Sequence, residues 1–92
     1  MVPGDLVGER FEILRLAKAG GMAEVYRATD RSDGAAVAVK MLSDCSAQAE
    51  AYFAREAQIL AELRHPGVVA YHAHGRTPDG ALWLAMEWLE GI

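Results

Sequence analysis

AAVAVKML, from Ala35 to Leu42, and AQAEAYFAREAQILAELR, from Ala47 to Arg64, decide the fold between them. The first stretch is β-branched and alternating, which predicts a strand: Ala36, Ala38, Lys40 and Leu42 share one face, while Val37, Val39 and Met41 take the other. In the second stretch the period changes. Ala49, Tyr52, Phe53, Ala57, Ile59, Leu60 and Leu63 recur at spacings of three and four, which predicts an amphipathic helix. Ser46 is its expected N-cap, and His65-Pro66-Gly67 its stop, because proline disfavours the α conformation in the residue before it.

Working outward, Phe11 to Lys18 and Ala23 to Thr29 read as strands around a turn containing Gly20-Gly21. Asp30 to Gly34 is a second turn. Beyond the helix, Val68 to His74 and Leu82 to Trp88 are strands joined by Thr77-Pro78-Asp79-Gly80. The expected architecture is α+β: a five-stranded antiparallel sheet with one helix, preceded by a lead-in segment over residues 1–10. Structure is expected to begin near Phe11.

The composition narrows the function. The 92 residues carry a net charge of −4 and no basic run, which argues against nucleic acid as a partner. Of the 92 residues 17 are Ala, so the 52% hydrophobic share overstates the material for a core. A single cysteine, Cys45, and acidic residues where a secretory signal needs an apolar stretch point to a reducing, cytoplasmic compartment. Ala81 to Met86 is far short of the ~20 residues that span a bilayer, so no membrane contact is expected from this segment. That leaves room for an anchor downstream.

Glu56 is the most informative residue. Helical geometry places its carboxylate within the apolar stripe, where an unpaired charge would cost several kcal/mol, so it either reaches an edge or meets a cation. The chain has two lysines, Lys18 and Lys40. Lys40 lies on the small-residue face of its strand, suited to a flat ligand above the alanines and an anion beside the ammonium. The plainer alternative is that Lys40 leaves an edge strand and Glu56 is solvated. Ala19 to Met22 offers backbone amides to an anion, though it precedes a strand rather than a helix, and an ordinary hairpin turn would look the same. His72 and His74 are expected on one face of their strand, as surface or partly packed histidines rather than metal ligands.

Together these pieces resemble the N-terminal lobe of the eukaryotic-like protein kinases, most like the bacterial serine/threonine kinases. Val37-Ala38-Val39-Lys40 is similar to the VAIK motif, and the helix resembles αC, with Glu56 at the lysine-pairing position 16 residues after Lys40. Lys18 to Val25 resembles the glycine loop. Met86-Glu87-Trp88-Leu89 looks like the gatekeeper and hinge, so residues 11–92 form a partial kinase domain. The resemblance implies ATP as ligand, with Lys40 and Glu56 as the catalytic pair. It implies a phosphate cover over Ala17, Lys18, Ala19, Gly20, Gly21, Met22 and Ala23. Val25 and Ala38 would form the adenine roof, Met86 the pocket depth, and Glu87 and Leu89 the backbone contacts to the base.

The departures are specific. Aligned on Val25, only the middle glycine of GxGxxGxV survives, as Gly20; Lys18 stands at the first and Ala23 at the third. Lys18 either crowds the loop or adds a positive charge for the triphosphate. No HRD or DFG motif occurs in the 92 residues. The resemblance therefore implies that the base, the Mg2+ ligands and the protein-substrate site belong to a C-terminal lobe, and that this chain alone is inactive. The alternative is a pseudokinase or regulatory binding module, for which the altered loop speaks.

Overall fold

The computed structural model describes residues 1–21, 23–43, 46–63 and 70–89. Its strands are β1 (Leu6–Val7), β2 (Phe11–Lys18), β3 (Ala23–Asp30), β4 (Ala36–Leu42), β5 (Tyr71–Arg76) and β6 (Leu82–Glu87), with one helix, α1 (Ala47–Glu62), between β4 and β5. They form a single antiparallel sheet in the order β1-β2-β3-β4-β6-β5.

The sheet has six strands among the described residues, not five, because the lead-in segment contributes one. Leu6 and Val7 pair with Glu12 and Phe11, and Val7 is buried. A two-residue strand is too short to show a period, so it was illegible between Pro3 and Gly8. Gly8, at φ 60°, turns the chain back, and a Cβ there would lie 2.7 Å from the Trp83 ring. Glycine is required on both counts.

The sheet is curled. Phe11 of β2 and Trp83 of β6 meet edge to face with centroids 5.6 Å apart, although β3 and β4 lie between their strands in the sheet order. Val37, Val39 and Met41 project into the core enclosed by this curl, with Ile13 and Ala85. The opposite face carries Leu42 and Leu84, which pack against Ala49, Phe53 and Ala57 of α1. Alternation along β4 thus divides its side chains between two apolar clusters, as its sequence predicts.

A buried carboxylate ties the curl together. Asp30, wholly buried at the end of β3, accepts hydrogen bonds from Arg10 Nε (2.9 Å) and Nη2 (2.7 Å) and from the Ser32 amide and hydroxyl. His72 Nδ1 lies 3.1 Å from Asp30 Oδ2, the oxygen that also accepts from Arg10 Nη2. The Arg10 guanidinium, outweighing desolvation, holds this carboxyl well below the usual carboxylate range.

Helix α1 begins at Ser46, whose side chain accepts from the Ala49 amide at 3.1 Å. Leu63 is already extended, so the helix closes two residues earlier than the periodicity suggests, and His65-Pro66-Gly67 lies outside the described residues. Its buried stripe is also narrower. Ala49, Phe53 and Ala57 are covered, whereas Tyr52, Ile59 and Leu63 are exposed, because the strands that α1 crosses reach only one row of its side chains.

A register shift between Tyr71 and Ala73 leaves His72 as an extra residue in β5. The bulge re-aims the side chains around it, so His72 reaches Asp30 while His74 Nδ1 lies 2.6 Å from the Tyr71 hydroxyl. Contrary to the alternation, the two histidines have different surroundings.

Candidate nucleotide cleft

Lys40 and Glu56 reach each other across the gap between sheet and helix. Lys40 Nζ donates to Glu56 Oε1 at 2.9 Å and lies 6.0 Å from the centre of the Phe53 ring. The pair is not buried, however: the side chains are 30% and 47% exposed. Glu56 stands at the edge of the stripe rather than within it, since the covered row of α1 runs through Phe53 and Ala57. Desolvation left open whether Glu56 reaches an edge or meets a cation, and the structure shows both: the carboxylate keeps much of its water and contacts Lys40, the lysine that the kinase resemblance implies.

The pair stands in the wall of a cavity of about 660 Å³ between the β2–β3 hairpin, β4, α1 and the segment following β6. From the hairpin, Ala17, Lys18, Gly20, Ala23 and Val25 line it; from β4, Ala38 and Lys40. Met86, Glu87 and Leu89 line the end nearest Ala38, which Met86 pairs in register. Ala19 and Gly21 belong to the same turn without reaching the wall, and Met22 lies outside the described residues. Gly20 and Gly21 have φ of 115° and 67°, a left-handed backbone that tightens this turn.

The wall includes residues not assigned to the ligand site from the sequence: Leu42, Ala49, Tyr52, Phe53 and Trp88. Four of these left a trace, since Leu42 shares the Lys40 face by alternation and Ala49, Tyr52 and Phe53 belong to the apolar stripe that carries Glu56. Trp88 left none. Its ring lies 5.5 Å from the Arg15 guanidinium and 5.3 Å from that of Arg27, directly opposite residues of β2 and β3. These contacts hold the hairpin against the segment after β6. The Glu87 amide donates to Ala70 O (2.8 Å) and the Trp88 amide to Ala36 O (3.2 Å), so the sheet continues nearly to Leu89.

The residues present fit an adenine nucleotide. Val25, Ala38, Met86 and Leu89 give apolar walls for a flat base at one end, and two residues further along β4 the Lys40 ammonium suits phosphate. Divalent metal is a different matter. Among the described residues no group of three or more His, Cys, Asp or Glu side chains could hold an ion.

Comparison with known proteins agrees with this geometry. The protein kinase domain family matches residues 11–92. The chain belongs to the protein kinase family. It is 40% identical over 93 residues to the DNA damage-responsive serine/threonine-protein kinase RqkA of Deinococcus radiodurans, covering 99% of this chain and 14% of that protein. To the serine/threonine-protein kinase PrkC of Bacillus subtilis it is 36% identical over 95 residues, again spanning 14% of the relative. The PknI kinase domain of Mycobacterium tuberculosis superposes with a TM-score of 0.82 at 28% identity, over 100% of this chain and 37% of that one. The curled sheet and single helix are those of a kinase N-terminal lobe, and the chain spans a small part of the relatives it matches.

Proposed function

We propose that this chain is the ATP-binding lobe of a serine/threonine protein kinase, which transfers the γ-phosphate to protein Ser or Thr when joined to a C-terminal lobe. The observation that carries the reading is the Lys40–Glu56 contact in the wall of a cleft whose other end is apolar. In this reading Glu56 restricts the Lys40 side chain, so that its ammonium meets the α and β phosphates without first being ordered. Val25 and Ala38 cover the base, Met86 limits its depth, and the backbone at Glu87 and Leu89 reads its edge. The hairpin turn from Ala17 to Ala23 covers the phosphates.

The lobe itself supplies positioning and charge. The base for the substrate hydroxyl and the groups that hold Mg2+ belong to the C-terminal lobe, which also carries the protein-substrate site, so the 92-residue chain alone is inactive. The proposed compartment is the cytoplasm. Among the described residues no helix is long and apolar enough to cross a membrane.

Radiolabelled phosphate transfer to a generic protein substrate tests this, with the lobe joined to a complete C-terminal lobe. Transfer is expected from the joined protein and is expected to fall at least about a hundredfold with Lys40→Met, which deletes the charge but keeps an unbranched side chain. Undiminished transfer by Lys40→Met would remove Lys40 from its role. No transfer by the unaltered joined protein would favour a regulatory binding module.

A further inference from the structure

Lys18 is the one charged residue between Ala17 and Ala23, and the strand register fixes what it faces. Leu16 pairs with Tyr26, yet Lys18 pairs with Val25, so Ala17 is an extra residue in β2. Without this bulge, Lys18 would oppose Glu24. With it, Lys18 joins a cross-strand row in which Val25 pairs with Lys40. Cross-strand partners project to the same face, and all three residues line the cleft. With neighbouring strands about 4.8 Å apart, the two lysine backbones stand roughly 10 Å from each other across Val25.

The two ammonium groups differ in their surroundings. Lys40 is engaged by Glu56, whereas among the described residues no carboxylate lies within ion-pair distance of Lys18. Nor does Lys18 crowd the loop, since a cavity of about 660 Å³ remains beside it. These two lysines are the only ones in the chain.

We infer that Lys18 is a second phosphate-binding cation, gripping the polyphosphate of the ligand from the hairpin side while Lys40 holds it from β4. The inference rests on the nucleotide reading of the cleft. It makes the contribution of Lys18 grow with the number of phosphates and vanish for a nucleoside.

The test is a nuclear magnetic resonance titration of the 15N-labelled lobe, joined to a complete C-terminal lobe, with Mg-free ATP and, separately, adenosine, following the amides of Val25 and Ala38. Lys18→Met is expected to raise the ATP dissociation constant roughly three- to tenfold and to leave adenosine unchanged, while Lys18→Arg stays within about twofold of wild type for both. An unchanged ATP affinity in Lys18→Met overturns the inference alone. Equal weakening of ATP and adenosine also overturns it, by showing a structural role. Absence of any ATP-induced shift in the wild type removes the nucleotide reading, and the inference with it.

Discussion

Lys40 Nζ and Glu56 Oε1 stand 2.9 Å apart with roughly a third and a half of their side chains still in water. The contact therefore orients more than it stabilises. Exposed ion pairs are worth about 0–1 kcal/mol, because the Coulomb gain in high dielectric is offset by ordering two long side chains. The double-mutant cycle of Lys40→Met and Glu56→Gln, measured by urea unfolding, is expected to give a coupling below about 1 kcal/mol that shrinks further in 1 M salt. A coupling of several kcal/mol would mean that the pair is desolvated in solution.

That pair also shows how far the sequence could be read. The strand and helix that carry it were legible because alternation over Val37 to Met41 and the three-four spacing over Ala49 to Leu60 are each long enough to show a period. How deeply α1 buries its stripe was not legible, since that depends on how many strands pass beneath it. The partner of Glu56 was accordingly right while its burial was wrong. Bulges escaped for a related reason: one extra residue at Ala17 or His72 costs the sequence nothing in composition, yet it decides whether Lys18 faces the cleft and separates His72 from His74. The stacking of Trp88 against Arg15 and Arg27 joins three separate strands' worth of chain, which no local pattern encodes.

Gly8→Ala is expected to destabilise the fold by about 1–3 kcal/mol. A Cβ at this position would lie 2.7 Å from the rigid, buried Trp83 ring, and φ of 60° is itself unfavourable for alanine. Gly34→Ala shares the positive φ but meets nothing within 4 Å, so the difference between the two variants isolates the steric part. Thermal unfolding of both supplies the measurement. Equal losses would place the cost in the backbone alone and detach the lead-in turn from the Trp83 core.

Asp30 gives the fold a predictable sensitivity to acid. Its folded carboxyl is held well below the ordinary value of 3.8, chiefly by Arg10, so between the two values the unfolded chain binds a proton that the native protein does not. Proton uptake by the unfolded state lowers stability as pH falls. The contribution of Asp30 is thus complete above about pH 5 and is lost progressively as pH drops through 3.8 towards the folded value. Asn at this position keeps the shape but removes the charge that accepts from Arg10 and Ser32, so Asp30→Asn is expected to cost about 2 kcal/mol at neutral pH. Urea unfolding of both proteins from pH 6 to pH 3 is the check. The wild-type advantage should narrow steadily below pH 5, whereas a constant gap would show that the Asp30 carboxyl titrates alike in the folded and unfolded chains and that Arg10 does not hold it ionised.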